Sequence, residues 1–299
     1  MSHNTTRLQL AAANPTNGDE NRVVTREDLP ASASIEDSNS DCEDVEGPRV
    51  EAHVCLARTR RKLLCLVQPC NSITGIFCIE RKRARTVAAL ADELNIPDLP
   101  ELVRTFLFGQ LFPDDDRNPA DVSPLECPKY QGKIYVYSSA SSTFYAPSDL
   151  SGIGGMRREY IRATPTWRQD GPRYDCVFVI TNPELDGMRG MDVARILCFF
   201  SFRTHRKLHR CAVVHWFDRI GDAADEVTGM WMVRPSFAWG EQPNTAVIHI
   251  DAIFRAAHLI PVYDRNFVSP EIGPHNSYDS FRHFYVNKFA DHHSFEIVY

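Results

Sequence analysis

The sequence predicts an α+β fold that is rich in β-structure, with an antiparallel β-barrel or sandwich core, a few peripheral helices and a disordered acidic N-terminal tail. Three observations indicate this class. Runs of β-branched and aromatic residues follow one another through the second half of the chain, separated by loops of about ten residues. Helical patterns do not alternate with these runs, which argues against βαβ units. The first 50 residues contain no Phe, Tyr or Trp.

Residues 1–50 differ in composition from the rest of the chain. They carry ten acidic residues against four arginines, a net charge of −6, which equals the formal charge of the whole 299-residue chain. The remaining residues therefore sum to zero. A segment this polar buries too little apolar surface to offset the entropy lost on ordering, so we expect a disordered acidic tail.

Three further parts follow the tail. Residues 51–112 are expected to form a small strand-plus-helix segment, and residues 113–132, rich in Pro and Asp, a loop or linker. Residues 133–299 are expected to form the β-rich domain, ending in a C-terminal helix.

The elements of the first part follow from local patterns. Short strands are predicted at 54–56, 62–67 and 73–79. Thr86 is a suitable N-cap for a helix over 87–95, and Pro100 suits the first turn of a helix that runs to about Leu111.

The elements of the β-rich part are strands and one helix. Asp279 is expected to cap the helix, because aromatic residues recur at helical spacing from Phe281 to His292. The predicted strands span residues 133–138, 174–181, 192–202, 210–217, 228–233 and 245–250.

Several classes of protein are disfavoured. No apolar run approaches the roughly 20 residues that cross a bilayer, and the N-terminus lacks the apolar core of a secretory signal, so we expect an intracellular protein without a membrane partner. The nine cysteines include no CxxC pair and are expected to be reduced, with Cys65, Cys176 and Cys198 in strand-like runs. The common catalytic motifs are missing, so we expect no cofactor and favour a non-catalytic protein.

Basic residues concentrate in two segments, 51–90 with a net charge of +6 and 151–219 with +5. Arginines and lysines that neutralise phosphates are the main source of sequence-independent affinity for nucleic acid. Charged strand edges that only maintain solubility are an equally good explanation. The candidate nucleic-acid-binding residues are Arg58, Arg60, Arg61, Lys62, Arg81, Lys82, Arg83, Arg85, Arg157, Arg158, Arg203, Arg206 and Lys207.

Two other patterns leave alternatives open. The glycine-rich stretch 152–158 is either an anion-binding loop or, as we favour, a flexible turn. The four tryptophans are expected mainly in the core. Histidines and carboxylates near the C-terminus could hold a metal for a hydrolase or nuclease, although solitary histidines are more often structural. The candidate ligands are His249, Asp251, His258, Asp291, His292 and His293.

Seven sequence blocks carry a resemblance to a known family. They are RYDCVFV at 173–179, GMRGMDVAR at 187–195, FFSF at 199–202, CAVVHWF at 211–217, TGMWMV at 228–233, AAHLIPV at 256–262 and FYVNKFADHH at 284–293. Their order resembles the C-terminal region of the Plavaka-type transposon proteins of mushroom-forming fungi, over residues 100–299. Within this region, strands with a Trp-Phe pair are similar to the bromo-adjacent homology fold, a small β-barrel of chromatin proteins.

The resemblance implies mobile-element ancestry and a nuclear, DNA-related setting. It does not imply transposition, because this chain lacks the length and pattern of an RNase H-like core. The leading hypothesis is thus a non-catalytic module that binds DNA or a chromatin protein. The alternatives are a metal-assisted hydrolase or nuclease, and a folded transposon relic without a selected function. The oligomeric state is not predicted.

Overall fold

Twelve β-strands and four α-helices make up the part of the chain that the computed structural model describes. This part comprises residues 72–79 (backbone only), 82–123, 125–148, 154–168, 171–238, 241–263 and 267–299. The strands are β1 Ser72–Ile79, β2 Ile134–Tyr145, β3 Met156–Thr164, β4 Arg173–Tyr174, β5 Cys176–Ile180, β6 Met191–Thr204, β7 Lys207–Ile220, β8 Met232–Pro235, β9 Thr245–His249, β10 Ile253–Ala257, β11 Leu259–Pro261 and β12 Phe284–Val286. The helices are α1 Val87–Leu94, α2 Leu99–Leu111, α3 Ser277–Ser280 and α4 His292–Ile297.

The strands form one antiparallel sheet that curls into a half-barrel, which confirms the predicted β-rich fold class. The main path runs β11-β12-β8-β7-β6-β2-β3-β4, while β1 pairs with β2, β9 with β7, and β5 joins β10 to β6. The long hairpin of β6 and β7 is its centre, and the register shifts between Ile196 and Cys198. A bulge of this kind increases the local twist and bends the strands, as a curled sheet requires.

Apolar residues of the sheet pack in separate clusters. In one of them, Leu90 of α1 and Leu107 of α2 lie against Val136, Phe200 and Val213 of the sheet. A second cluster joins β2, β3, β5, β6 and β7 with the segment 250–256. A third lies around β5, β8, β12 and the C-terminal residues. The two long helices therefore cover the sheet, and β3 belongs to the core through its buried Ile161.

The first two helices confirm the local sequence signals. Thr86 has extended backbone and accepts a hydrogen bond from the Ala89 N–H at 3.2 Å, as an N-cap residue does. Pro100 lies in the first turn of α2, which ends at Leu111 as predicted. Cys176 and Cys198 are buried free thiols, again as predicted.

The predicted helix from Asp279 to His292 is wrong. Its aromatic residues at helical spacing are split between α3 and β12, and α4 begins only at His292. Phe284 pairs with Val233 of β8 and Pro261 of β11, so that two neighbouring strands use its backbone groups. Three residues are too few for a strand periodicity to be recognised, and sheet pairing overrode the helical spacing.

Some expectations fall outside the described residues. These are the acidic tail at 1–50 and the strands at 54–56 and 62–67, whereas the strand predicted at 73–79 corresponds to β1. Among the helices of the described ranges, none has the length and apolar character needed to cross a membrane.

Candidate nucleic-acid interface

Strand β3 separates its side chains into two sets. Side chains alternate between the faces of a strand, so Arg158, Tyr160 and Arg162 share one side while Glu159 and Ile161 point to the other. Ile161 is fully buried, whereas Tyr160 is 50% exposed. The strand thus contributes an aromatic ring and two guanidinium groups to the side opposite Ile161.

The connection from β3 to β4 adds a tryptophan to this side. Thr164 pairs with Arg173 across the two strands, and the Trp167 N–H donates to the Gly171 carbonyl at 2.7 Å. This hydrogen bond closes the connection and holds the half-buried Trp167 near the end of β3. Arg168 follows with a positive φ of 49°, an uncommon conformation for a non-glycine residue.

Three guanidinium groups surround the Trp167 ring. Their central carbons lie 4.6 Å (Arg162), 5.3 Å (Arg168) and 5.2 Å (Arg173) from the ring centroid, and Arg162 also lies 5.4 Å from the Tyr160 ring. These distances are typical of cation–π contacts. The arginine–tryptophan surface is the set Arg158, Tyr160, Arg162, Trp167, Arg168 and Arg173.

Most of the positive charge on this surface is not neutralised. Arg173 forms an ion pair with Asp175 at 2.8 Å. Within the described ranges, no carboxylate lies within 4.0 Å of the guanidinium nitrogens of Arg158, Arg162 or Arg168. The aromatic rings orient the guanidinium groups without cancelling their charge, which leaves them able to bind an anion.

A cavity of about 460 Å³ adjoins the arginine–tryptophan surface. Its lining includes Arg158, Tyr160 and Arg173 of that surface, together with the half-buried Arg157. The lining also includes Arg255, whose side chain is only 2% exposed. The cavity therefore leads from exposed arginines to a buried one.

Arg255 is bound on several sides. Its guanidinium donates to both carboxylate oxygens of Asp291 at 2.9 and 2.6 Å and to Glu159 at 3.4 Å. It also donates to Nδ1 of His293 at 3.0 Å and lies 4.4 Å from the Phe144 ring centroid. These five residues, the Arg255 cluster, join β2, β3, β10 and α4, and all five line the cavity.

The pKa values in the Arg255 cluster follow from burial and from this one cation. Burial raises the pKa of Glu159 against the opposing effect of Arg255. Burial also acts to raise the pKa of Asp291, but hydrogen bonds from Arg255 and Ser294 hold it well below its usual range. Burial and the Arg255 charge lower the pKa of His293 to about 4. His293 is therefore neutral at pH 7, with Nδ1 free to accept from Arg255.

The structure brings together only some of the predicted basic residues. Arg157 and Arg158 lie at the cavity, whereas Arg203, Arg206 and Lys207 lie at the turn between β6 and β7. Along β2, Phe202 pairs with Ile134 and Arg158 with Thr143, positions about 30 Å apart on an extended strand. The two groups thus occupy different parts of the sheet.

The other predicted basic residues lie elsewhere. Lys82 is exposed, and Arg83 is largely buried in an ion pair with Glu93 of α1. The Arg85 carbonyl accepts a hydrogen bond from the Ile134 N–H at 2.9 Å. Arg83 is therefore committed within the fold. The remaining candidates lie outside the described residues: Arg58, Arg60, Arg61, Lys62 and Arg81.

Three of the candidate metal ligands, His258, Asp291 and His293, line the same cavity, and the other three lie elsewhere. His249 caps the 3-10 helix at Ile250–Ala252 and lies 3.3 Å from Asp251, while Asp291 and His293 bind Arg255. His258 lines the cavity, and His292 is exposed on α4. In the ranges that the structure describes, no three His, Cys, Asp or Glu side chains are placed to hold a metal ion.

Sequence reasoning missed most of the arginine–tryptophan surface. Arg162, Arg168 and Arg173 belong to the basic segment 151–219 but not to the candidate binding residues, and the sequence predicts the tryptophans mainly in the core. The available signal was the alternation Arg158-x-Tyr160-x-Arg162, which is a strand pattern with a basic and aromatic face. Trp231 is buried at 3% exposure, as expected for a core tryptophan.

The fold and the site together define a β-rich protein with an arginine–aromatic surface beside a basic cavity. No protein-family model, curated protein or solved structure matches the chain.

Proposed function

We propose that this protein is a non-catalytic module that binds DNA through the arginine–tryptophan surface. The observation that carries the proposal is the Trp167 ring with three guanidinium groups within 5.3 Å of its centroid. Guanidinium groups match phosphate oxygens in charge and in hydrogen-bond geometry. A half-exposed Tyr160 beside them offers a ring on which a base can stack.

Local charge also supports DNA as the ligand. Strands β3 and β4 and the described part of their connection carry five arginines against one acidic residue, Glu159, whose carboxylate is turned to the opposite side and bound to Arg255. The overall charge of −6 does not oppose this, because residues 1–50 account for all of it. A protein of acidic composition therefore has a basic surface.

The biological setting that we propose rests on the sequence resemblance. A C-terminal region similar to that of Plavaka-type transposon proteins implies a nuclear, transposon-derived protein. We propose DNA as the direct ligand, because arginine contacts to phosphates are a main source of the hydrogen bonds between proteins and DNA.

Salt-dependent binding to DNA tests the proposal. Fluorescence anisotropy of labelled single-stranded and double-stranded oligonucleotides is measured with the full chain at 50 and 200 mM salt. Neutralisation of four phosphates by arginines predicts that the affinity falls roughly a hundredfold over this range. The double variant Arg158→Glu with Arg168→Glu should lose at least about tenfold in affinity at 50 mM salt.

The matched control is Arg189→Glu with Arg282→Glu, which reverses two exposed arginines outside the arginine–tryptophan surface. It should lose much less affinity than the double variant within the surface. Absence of binding to both oligonucleotides at 50 mM salt, or an equal loss in the two double variants, contradicts the proposal.

A further inference from the structure

The cavity beside the arginine–tryptophan surface differs from that surface in shape. The surface is an open strand face, whereas the cavity of about 460 Å³ has buried residues in its lining, among them Arg255 and Cys176. A continuous strand of nucleic acid can cross an open face, whereas a cavity that extends to the buried Arg255 is better suited to a terminus or a small group.

The chemistry of the lining favours a phosphate group. Four arginines line the cavity: Arg157, Arg158, Arg173 and Arg255. The carboxylates among the lining residues are already engaged, since Glu159 and Asp291 bind Arg255 and Asp175 binds Arg173. The exposed guanidinium of Arg158 has no such partner in the described part of the chain.

A terminal phosphate has the properties that this site requires. A phosphate monoester carries a charge of about −1.5 to −2 at neutral pH and three acceptor oxygens, more than an internal phosphodiester. Its size is well below the cavity volume. Arg173 and Tyr160 belong both to the cavity and to the open surface, so a strand on the surface can place its end in the cavity.

We propose that the cavity lined by Arg157, Arg158, Arg173 and Arg255 binds the terminal phosphate monoester of a nucleic-acid strand. This inference rests on the proposed function, and it makes the protein one that recognises strand ends. Arg158 at the rim contacts the phosphate, and the Arg255 cluster forms the floor and holds β3 and β10 in place around it. The open surface binds the adjoining nucleotides.

Three forms of one internally labelled single-stranded 20-mer test this proposal. They end in a 5′-phosphate, a 3′-phosphate or hydroxyl groups at both ends, and their affinities for the full chain are compared by anisotropy at 50 mM salt. At least one phosphorylated form should bind about tenfold more tightly than the hydroxyl form, the effect of one further charge-assisted hydrogen bond. The two phosphorylated arms identify the end that is recognised.

Three variants distinguish the role of the cavity from that of the surface. Arg158→Ala should abolish the preference for the phosphorylated end, and His258→Trp, at an exposed lining position, should do the same by filling the cavity. Trp167→Ala should weaken all three oligonucleotides by a similar factor and keep the preference. Arg189→Ala is the control, since this exposed arginine lies away from the cavity.

The outcomes distinguish this inference from the proposed function. Equal binding of the three oligonucleotides overturns the cavity proposal and leaves DNA binding standing. If none of the oligonucleotides binds, the proposed function fails. Titration of pyrophosphate by calorimetry then tests whether the cavity binds phosphate groups. Pyrophosphate binding that Arg158→Ala removes supports a phosphate site, and absence of heat at millimolar concentration overturns it.

Discussion

His209 is a histidine in an apolar environment. It is fully buried on β7, with its ring stacked on Phe202 at 5.2 Å and edge-on to Phe106 at 6.1 Å. Neither ring nitrogen has a hydrogen-bond partner among the described residues. Burial, with smaller effects of Lys207 and His249, lowers the pKa of His209 to about 4. The side chain is therefore neutral at pH 7 and packs as an aromatic ring.

This histidine predicts a loss of stability in mild acid. The folded state binds a proton at His209 only near pH 4, whereas the unfolded chain does so near pH 6.5. The stabilisation is thus present above pH 6.5 and is lost as the pH falls towards 4, by about 2 kcal/mol between pH 7 and pH 5. In urea unfolding at both pH values, His209→Phe should lack this part of the loss.

A second histidine variant serves as the control for the replacement of a histidine by phenylalanine. His283→Phe, at an exposed position, should keep the pH dependence of the unmodified chain. If His209→Phe and the unmodified chain lose the same free energy of unfolding between pH 7 and pH 5, the assignment to His209 is wrong.

At the scale of single elements, the turn between β6 and β7 is under backbone strain. Thr204 pairs with Lys207, so two residues make the turn, and both have positive φ, 47° at His205 and 63° at Arg206. Two-residue hairpins of this type favour Asn-Gly, since other residues lose about 1 kcal/mol or more in this conformation. A basic pair therefore occupies positions where glycine and asparagine would be more stable.

Relief of this strain gives a second stability prediction. The double variant His205→Asn with Arg206→Gly should raise the free energy of unfolding by about 1–2 kcal/mol, measured by urea titration at pH 7. Arg206→Ala removes the charge but keeps a Cβ in the left-handed region, and it should give no such gain. An equal gain in both variants would assign the effect to charge and not to backbone conformation.

The same scale shows what the sequence could predict. Long apolar runs such as those of β6 and β7 were recognised because nearly every residue of their central parts is buried. Strand β3 was missed because Arg157, Arg158 and Glu159 make its first half read as a polar turn. The strand exists because it pairs with β2 over seven residue pairs, a long-range contact that local composition does not report.

The candidate site was predictable to a similar degree. The sequence indicates Arg157 and Arg158 as candidates, because adjacent basic residues can be recognised without knowledge of the fold. Arg255 was not selected, since a lone arginine in an apolar strand carries no local signal. Its partners Glu159 and Asp291 lie 96 and 36 residues away along the chain, and only the fold brings them together.

At the scale of the whole molecule, charge is divided between two regions. Residues 1–50 carry −6, and the rest of the chain is neutral overall with basic segments at 51–90 and 151–219. An acidic segment tethered to a basic surface competes with DNA at a high effective concentration, and salt screens this competition. We therefore expect residues 1–50 to weaken the proposed binding to DNA.

Removal of residues 1–50 tests this competition. The shortened chain should bind the hydroxyl-terminated 20-mer about fivefold more tightly at 50 mM salt, with a smaller difference at 200 mM. A full-length variant in which the ten acidic residues of the tail are replaced by Asn and Gln should behave like the shortened chain. Unchanged or weaker binding of both would show that the tail does not compete.

The Arg255 cluster also imposes an order on the formation of the native structure. Arg255 is synthesised 36 residues before Asp291, and Glu159 a further 96 residues earlier. Until Asp291 has been synthesised, the guanidinium lacks its bidentate partner, and among the described carboxylates only Glu159, at 3.4 Å, compensates its buried charge. The contact between β3 and β10 through Arg255 and Glu159 is therefore less stable during synthesis than in the complete fold. The contact between β3 and β10 through Arg255 is therefore completed only after residues 291–293 have been synthesised.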